Sequence, residues 1–567
     1  MRLVILFLCV LHLQFLAAQT FEWAAKGGTE LYDEAFALSI DSEGNSYITG
    51  ALQDLSTKID SIVVQDSTLN DNNEYIYTDS LVIDTINSVS TALFTAKFHS
   101  DGSVAWVEKI GGIGNDVGQA ITLDDTGNVY TAGTFSDDIS LIGISELSSS
   151  HLYDNDATIL AYNNLGQLQW ATQINGTGDV SIVDLAKGID DHLFIGGNFQ
   201  DTLLFGNSAM ISTAENDFFL AKYSLNGDLV WQKQFGSTNT EGLNSLSVDN
   251  EGNILIGGYF SHALVLDSQI LTSDDTNDLD AFIAKLDSDG NVLWASAIGG
   301  DNNQLVNSIA SDNSGNIYLA GALTNTLNWA DSTYLSHGGT DIFTAKYSST
   351  GEALWLQTAG GSNTDWAYNI AVDNDGRSYL IGTFDRNFTV NDNTTSTLSN
   401  DILTLCYNTD GTFAWMQQAG SGEYDAGYDI AVDAVGYTYI TGGFRSTCTF
   451  DTHTITSSGG ADLFIAKLAP AAFVAIETPL VYMPNFSLNA YPNPVQEVLY
   501  LTLNSSTFSN NIADLQISNM GGQIVLRQPI SLSNNTESLD LSSLPQGIYL
   551  LQIQSGALVQ TQKIIKQ

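Results

Sequence analysis

Residues 308–361 read SIASDNSGNIYLAGALTNTLNWADSTYLSHGGTDIFTAKYSSTGEALWLQTAGG and contain one copy of a unit that recurs through most of the chain. An apolar strand ends at Asp312, and a glycine turn leads into a second strand. After a variable loop, a third alternating strand begins at Asp341, and a hairpin turn at Gly351 leads to a fourth strand around Trp355. Four short strands separated by such turns predict one antiparallel four-stranded sheet.

The unit recurs at a nearly constant spacing, although the copy at 182–197 is degenerate. Self-similarity at a fixed period indicates a repeat protein. The chain begins with a fourth-type strand at 21–26, and its last copy stops after a third-type strand at 462–468. We therefore expect the N-terminal strand to complete the last sheet and to remove its exposed edge. The fourth-strand tryptophan occurs at positions 23, 106, 170, 231, 294, 355 and 415, at intervals of 83, 64, 61, 63, 61 and 60 residues.

The repeated pattern resembles the seven-bladed β-propeller repeat of bacterial secreted proteins and, more distantly, the NHL class of propeller blade. It combines Asp-x-Phe-x-Ala-Lys, a turn, Trp, Gly-Gly, an apolar strand and Asp-x-x-Gly-Asn. The resemblance implies an all-β fold in which 20–469 form seven four-stranded blades, the last closed by the N-terminal strand. It says little about activity, because propellers have many functions.

Composition limits the kinds of partner. The 567 residues carry 64 acidic and 17 basic side chains, a formal charge of -47, which argues against a nucleic-acid partner. The hydrophobic share of 43% is sufficient for a folded core. Two cysteines, Cys406 and Cys448, lie beyond the N-terminal segment, and the sequence leaves open whether they form a disulfide.

The first residues predict a secretory signal peptide at 1–19, with Arg2 before an apolar run and small residues at its end. No later stretch reaches the roughly 18 apolar residues of a membrane-spanning helix. The sequence therefore predicts a mature chain without a transmembrane segment.

A second domain follows the repeats. All seven prolines lie after residue 469, which predicts a boundary, a linker at 470–485 and a small immunoglobulin-like β-sandwich at 486–567. This module resembles the type A sorting domain of the type IX secretion system. The residues that carry the resemblance are Tyr491, Pro492, Asn493, Pro494, Gly547, Tyr549, Lys563 and Lys566.

The resemblance implies a Bacteroidetes-type cell and the type IX secretion machinery as a partner. It also implies passage across the outer membrane, removal of the module, and release or attachment at the cell surface. An ordinary C-terminal immunoglobulin-like binding module remains the alternative.

Chain direction places two long loops of each blade on one face, where we expect any binding site. An acid occurs at a similar offset before each first strand, with Gln304 as the exception. These carboxylates are candidates for a Ca²⁺ site, since hard cations prefer oxygen ligands. The alternative, which we favour, is that each caps backbone N–H groups of its own loop. The acids are Asp33, Asp116, Asp179, Glu241, Asp365 and Asp425.

Two tryptophans, Trp329 and Trp366, lie outside the repeated position and are candidates for ligand stacking. The repeated tryptophans are expected to pack between blades. The lysines that recur in the third strand are expected to pair with a repeated aspartate; they are Lys97, Lys222, Lys285, Lys346 and Lys467.

No nucleophile, base and orienting group occur in a recognisable catalytic pattern. We therefore expect a secreted or cell-surface protein that binds a glycan, a protein or an ion on its long-loop face, or serves as a scaffold, with no cofactor other than Ca²⁺. The alternative is a secreted carbohydrate-active hydrolase or lyase with its site at the channel mouth.

Overall fold

A computed structural model describes the chain in two compact units, Met1–Phe473 and Val474–Gln567. The predicted signal peptide and nearly all of the predicted linker lie outside the described residues. Within the described ranges every regular element is a β-strand, and none is a helix that would be long and apolar enough to cross a membrane. The described residues are 20–53, 68–69, 75–76, 91–112, 114–139, 141, 147–149, 154–206, 208–213, 216–273, 278–470, 486–505, 512–519, 524–531, 536–542, 544–555 and 558–566.

The first unit consists of antiparallel strands whose alternating apolar residues are buried between neighbouring sheets. In chain order the strands are β1 (Phe21–Gly27), β2 (Asp33–Ile40), β3 (Ser46–Gln53), β4 (Thr68–Leu69), β5 (Tyr75–Ile76), β6 (Thr91–Phe98), β7 (Val104–Ile110), β8 (Val117–Leu123), β9 (Val129–Phe135), β10 (Asp138–Ile139), β11 (Leu147–Ser148), β12 (Asp156–Tyr162), β13 (Leu168–Gly176), β14 (Val180–Lys187), β15 (His192–Phe199), β16 (Thr202–Phe205), β17 (Ser208–Ile211), β18 (Asp217–Ser224), β19 (Leu229–Phe235), β20 (Glu241–Val248), β21 (Ile254–Phe260), β22 (Ala263–Leu266), β23 (Gln269–Thr272), β24 (Asp280–Leu286), β25 (Val292–Ile298), β26 (Gln304–Ser311), β27 (Ile317–Trp329), β28 (Ser332–Tyr347), β29 (Ala353–Ala359), β30 (Trp366–Val372), β31 (Ser378–Val390), β32 (Asn393–Tyr407), β33 (Phe413–Ala419), β34 (Ala426–Val432), β35 (Thr438–Phe450) and β36 (His453–Leu468).

Among the strands of the first unit's described part, six sheets have four strands and one, sheet 2, has six. Sheet 1 contains β2, β3, β6 and β7; sheet 2 contains β8, β9, β12 and β13, with β16 and β17 added beyond β13; sheet 3 contains β14, β15, β18 and β19; and sheet 4 contains β20, β21, β24 and β25. Sheet 5 contains β26 to β29, sheet 6 contains β30 to β33, and sheet 7 contains β34, β35, β36 and β1. In sheets 1 to 4, short strand pairs lie between the second and third strands, whereas in sheets 5 to 7 those two strands themselves extend into a long hairpin.

The N-terminal strand closes the last sheet. β1 pairs antiparallel with β36, with Phe21 opposite Leu468 and Gly27 opposite Leu463. This pairing confirms the prediction that the first strand of the chain supplies the fourth strand of the last repeat.

The first strands of the sheets contact one another in a closed cycle. The order is β2, β8, β14, β20, β26, β30, β34 and again β2. These seven strands together line one cavity of about 530 Å³. The region around this cavity is therefore built from one strand of every sheet.

The repeated tryptophans pack between neighbouring sheets, as predicted. The indole N–H of Trp23 donates to the carbonyl oxygen of Ser100 in sheet 1 at 3.2 Å. A Cβ added to Gly102 would lie 2.9 Å from the Trp23 ring, so the hairpin of the next sheet needs glycine there. The six pairs are Trp23 and Gly102, Trp106 and Gly166, Trp170 and Gly227, Trp231 and Gly290, Trp294 and Gly351, and Trp355 and Gly411.

The repeated lysines are nearly buried and paired with acids. Three of them reach the first-turn aspartate of their own sheet, as predicted, at N–O distances of 4.0 Å (Lys97 and Asp41), 2.8 Å (Lys285 and Asp249) and 3.7 Å (Lys346 and Asp312). In degenerate sheet 3, Lys222 pairs with Asp190 at 2.6 Å. The prediction is wrong for Lys467, which pairs with Glu22 of β1 at 3.3 Å because β1 lies beside β36.

Both described cysteines, Cys406 and Cys448, are buried free thiols. They lie in one hydrophobic cluster that also contains Phe21 and Trp415.

The second unit contains two sheets, one in the order β37, β38, β41 and the other in the order β40, β39, β42, β43. Their apolar faces share a core that includes Leu501, Ile517 and Leu551. The strands are β37 (Phe486–Tyr491), β38 (Val498–Ser505), β39 (Ile512–Asn519), β40 (Ile524–Ser531), β41 (Thr536–Asp540), β42 (Gly547–Ser555) and β43 (Leu558–Lys566).

The tryptophan and glycine contacts predict a specific stability difference. Gly351 has φ +85° and Gly206 has φ +58°, but only Gly351 faces an indole ring, whereas a Cβ on Gly206 meets nothing within 4 Å. We expect Gly206→Ala to cost about 1 kcal/mol through backbone strain alone. Gly351→Ala adds steric overlap with Trp294 and should cost about 1 to 3 kcal/mol more. Chemical denaturation of both variants measures the difference, and equal midpoints would contradict the packing role.

Candidate functional site

The predicted acids at the start of the first strands are mostly buried loop caps. Asp33, Asp116, Glu241, Asp365 and Asp425 have at most 1% of their surface exposed. Each accepts a hydrogen bond from the residue four positions earlier, through its backbone N–H or, for Asp425, the Ser421 hydroxyl. Three of these acids accept a second hydrogen bond, from the backbone N–H of a residue in the second strand. The donors are Gln53 for Asp33, Asp385 for Asp365 and Arg445 for Asp425.

Asp179 lies outside this set. Val180 pairs with Phe199 as Asp33 pairs with Leu52, so Val180 occupies the equivalent position in sheet 3. Asp179, one residue earlier, is exposed, and its carboxylate accepts hydrogen bonds from the Asn155 backbone N–H at 3.2 Å and from the Asn155 amide at 3.4 Å.

Gln304, the exception in the sequence pattern, uses its amide instead. Its Nε2 donates to the carbonyl oxygens of Thr326 at 2.7 Å and Asp301 at 3.2 Å. In sheet 5 the Gln304 amide thus links the loop before the first strand to the second strand, as a carboxylate does in other sheets.

Burial dominates the electrostatics of these caps. It raises the pKa of Asp33, Asp116, Glu241 and Asp365 to about 7 and that of Asp425 to about 6. Among the residues that the structure describes, no three His, Cys, Asp or Glu side chains are arranged to hold a metal ion. A calcium site at these carboxylates therefore stays a prediction.

A ring of β-bulges, which the sequence did not reveal, surrounds the central cavity. Every first strand contains an irregularity at the same register, where the ladder skips one residue. A bulge re-aims the extra side chain. The seven skipped residues, which we call the bulge ring, all line the cavity; they are Phe36, Gln119, Val183, Asn244, Asn307, Tyr368 and Tyr428.

The residues that follow the bulges form a polar belt. Asp429 accepts hydrogen bonds from the backbone N–H groups of Leu38 and Ile430 and from the Asn369 amide at 2.5 to 2.7 Å. Asp184 likewise accepts two backbone N–H bonds and one hydroxyl bond from Ser245. Burial raises the pKa of Asp429 to about 8 and also raises the pKa of Asp184. The belt consists of Asp184, Ser245, Ser308, Asn369 and Asp429, with Ala37 and Ala120 in sheets 1 and 2.

Three adjacent members of the bulge ring are aromatic, and we call them the aromatic wall. The ring of Tyr428 lies 5.4 Å from that of Phe36 and 5.4 Å from that of Tyr368, measured between centroids. The Tyr428 hydroxyl donates to Glu34 Oε1 at 3.2 Å. Burial raises the pKa of Glu34, against the influence of this hydrogen bond and of the Arg445 charge.

A cation and two exposed aromatic rings lie at the strand ends above this wall. The Arg445 guanidinium carbon is 5.3 Å from the centre of the Tyr32 ring and 5.8 Å from that of Tyr424. Tyr32 is 53% exposed and Tyr424 is 37% exposed. We call these three residues the mouth cluster. Tyr32 lies one residue before β2 and Tyr424 lies two residues before β34, on the predicted long-loop face, and Arg445 lies within β35.

The two candidate stacking residues lie in different environments. Trp366 is half-buried, two residues before Tyr368 on β30. Trp329, in contrast, is only 8% exposed, and its indole N–H donates to the Tyr347 hydroxyl at 2.6 Å. The expectation of a loop position for Trp329 is corrected here, because β27 and β28 extend as a hairpin and bring the ring against Tyr347.

In the second unit, Asn493 holds the predicted sorting motif to the last strand. Its Nδ2 donates to the carbonyl oxygen of Lys563 at 2.7 Å, and its Oδ1 accepts the backbone N–H of Ile565 at 2.8 Å. The Tyr549 hydroxyl donates to the carbonyl oxygen of Pro545 at 2.9 Å. The remaining motif residues are Tyr491, Pro492 and Pro494 beside Asn493, Gly547 at the start of β42, and Lys563 and Lys566 on β43.

Residues 489–567 match the family of secretion system C-terminal sorting domains. The match indicates export by the type IX secretion system, whose machinery is then a partner, and a cell-surface or extracellular location.

Two curated proteins resemble other parts of the chain. An uncharacterized WD repeat-containing protein of Acanthamoeba polyphaga mimivirus is 24% identical over 438 residues, which cover 65% of this chain and 30% of that protein. The regulatory protein FlaEY of Caulobacter vibrioides is 26% identical over 175 residues, which cover 30% of this chain and 18% of that protein. The chain thus spans less than a third of the length of either relative.

Among solved structures, the extracellular domain of a one-component system from B. thetaiotaomicron aligns over 97% of this chain and 99% of that chain. The identity is 12% and the TM-score is 0.16.

The buried caps predict that the protein is more stable in mild acid. The pKa of Asp365 is about 7 when folded, above its ordinary 3.8, so the folded state retains a proton that the unfolded state has released. The stabilisation from this proton is complete below about pH 4 and is lost as the pH rises to about 7. We expect a higher denaturation midpoint at pH 5 than at pH 8.

Asp365→Asn should reduce this pH dependence, because the amide does not titrate. Exposed Asp331→Asn is the matched control and should leave it unchanged. Midpoints measured across pH 5 to 8 compare the three proteins, and an unaltered slope in Asp365→Asn would contradict the assignment.

Proposed function

We propose that residues 20–469 form a seven-bladed β-propeller that is exported by the type IX system and acts at the cell surface or outside the cell as a binding or scaffold protein. The seven sheets, the cyclic contacts of their first strands and the shared cavity support the propeller. The similarity to a WD repeat-containing protein is consistent with it. Residues 1–19 would be the signal peptide and 486–567 an immunoglobulin-like sorting module.

The observation that carries a binding role is the mouth cluster. Repeated side chains in this protein are used for packing, as Trp23 and Lys285 illustrate. Arg445, Tyr32 and Tyr424, in contrast, expose aromatic surface and a charge on the predicted long-loop face, and none of the three belongs to the repeated tryptophan, lysine or cap positions. Exposed aromatic residues and arginine are enriched at recognition surfaces.

A hydrolase or lyase remains the second candidate function. The hydrogen bonds of the two carboxylates that line the cavity favour a binding role over catalysis. Asp184 and Asp429 each accept three hydrogen bonds, one from the next residue of their own strand and two from neighbouring strands. A carboxylate so engaged is a structural support rather than a group positioned to transfer a proton to a ligand.

Export is tested in a bacterium that has a type IX system. We expect deletion of 486–567 to retain the chain in the periplasm. Asn493→Ala should lower surface yield severalfold, because it removes both hydrogen bonds that hold the motif to β43. Exposed Ser538→Ala on β41 is the control. Normal export of the deletion variant would overturn the proposal, and an experimental structure with another blade number would correct the fold.

A further inference from the structure

The bulge ring departs from the repeat in a way that packing does not require. Its seven positions share one backbone geometry, yet they carry aromatic residues in sheets 6, 7 and 1 and Gln119, Val183, Asn244 and Asn307 in sheets 2 to 5. Asparagine at two of these positions demonstrates that the backbone accepts a small polar residue there. The aromatic residues are therefore best explained by what the cavity contains.

The aromatic wall provides one side of a ligand site. Tyr368, Tyr428 and Phe36 come from three neighbouring sheets and line the same cavity. Tyr428 also keeps a hydroxyl beside Glu34, so the wall combines apolar ring surface with polar groups at its edge. Such a surface suits the flat C–H face of a sugar ring together with its equatorial hydroxyls.

Three of the other bulge positions carry amide side chains, and the fourth is Val183. Asn244 and Asn307 each donate their Nδ2 to a backbone carbonyl oxygen of the next sheet, that of Val306 and that of Ala367, both at 2.9 Å. These bonds orient the two side chains, and the Oδ1 of each is the atom that can accept a hydrogen bond from a ligand hydroxyl. Gln119 also lines the cavity, but its Oε1 is buried from solvent, so its Nε2 is the atom that can donate to a ligand.

Volume and charge restrict the ligand further. A cavity of about 530 Å³ lies within the range of small-molecule sites. The residues that line it include no lysine or arginine, and Asp184 and Asp429 are engaged in the belt, so the cavity offers no counter-charge to an anion.

We propose that the cavity binds a neutral saccharide, with a sugar ring against Tyr368 and Tyr428 and hydroxyl groups hydrogen-bonded to the side-chain amides of Gln119, Asn244 and Asn307. This rests on the proposed function, because it requires the closed ring of sheets. The mouth cluster lies at the predicted opening, where a longer glycan extends past Tyr32 and Tyr424.

The test is calorimetric titration of the secreted protein with cellobiose, xylobiose, maltose, lactose and N,N′-diacetylchitobiose. Tetramethylammonium chloride and digalacturonic acid serve as cationic and anionic probes. Tyr368→Asn and Tyr428→Asn introduce the residue that sheets 4 and 5 use at the same position, so both variants should fold. Leu335→Asn alters an apolar residue that is 61% exposed on β28 and is the matched control.

We expect at least one neutral disaccharide to bind with one site per chain, and both tyrosine variants to weaken it by ~10-fold or more. Leu335→Asn should bind like the unaltered protein. Gln119→Leu removes the amide N–H donors from the cavity lining together with the buried unpaired oxygen, so it should weaken binding while Tm stays the same or rises.

Several results would overturn the proposal: no disaccharide binds, only a charged probe binds, or sugar affinity is unchanged in Tyr368→Asn and Tyr428→Asn. Those results leave export and the closed ring intact, because both are measured separately. Normal export after deletion of 486–567, conversely, would contradict the proposed function without changing the sugar titration.

Discussion

The pairing of β1 with β36 is the contact on which the first unit depends, because it joins two strands that lie more than 430 residues apart in the sequence. It gives sheet 7 its fourth strand and places Trp23 against Gly102 of sheet 1. The Lys26 ammonium meets the Asp462 carboxylate at 3.1 Å with both side chains almost completely buried. A buried ion pair is weak evidence for stability but tolerates little displacement. The Lys26 and Asp462 pair therefore helps to fix the register between β1 and β36, two strands that no short loop connects.

Repetition distinguishes structural from functional residues in this protein. The tryptophans, the third-strand lysines and the buried caps recur from sheet to sheet and contact their own or the next sheet, although the Trp294 Nε1 has no hydrogen-bond partner among the described residues. The bulge ring is equally repeated in its backbone but not in its side chains. The fold therefore supplies seven equivalent positions around one cavity, and the identity of each side chain is free to follow the ligand. The aromatic wall is concentrated in sheets 6, 7 and 1 for this reason.

Features that depend on period or on strand type were predictable from the sequence, whereas features that depend on register were not. The closure by β1 followed from a count of strand types, and the lysine pairs followed from recurrence. Asp179 was assigned to the buried set because it lies one residue before Val180, which occupies the equivalent position, and only the strand pairing reveals this offset. Trp329 was expected in a loop because sequence does not distinguish a long hairpin from a variable loop. The bulge ring was missed because a bulge leaves no residue-type signature when its side chains differ.

The polar belt explains how the cavity can be preformed. From sheet 3 to sheet 7 each belt side chain forms a hydrogen bond with the first strand of the next sheet. The last of these is the bond that the Asp429 carboxylate accepts from the backbone N–H of Leu38 in sheet 1. These bonds fix the backbone directly beside the bulges, so a ligand would not have to order the cavity wall when it binds. The belt is interrupted at Ala37 and Ala120, which lack the polar side chains that link the other sheets. This gap lies beside Phe36 and Gln119, the bulge residues that directly precede the two alanines, and therefore at one edge of the aromatic wall. Among the described residues the belt provides no side-chain hydrogen bond from sheet 1 to sheet 2 or from sheet 2 to sheet 3, so a ligand that contacts both sides of the gap would join sheets that the belt leaves unlinked.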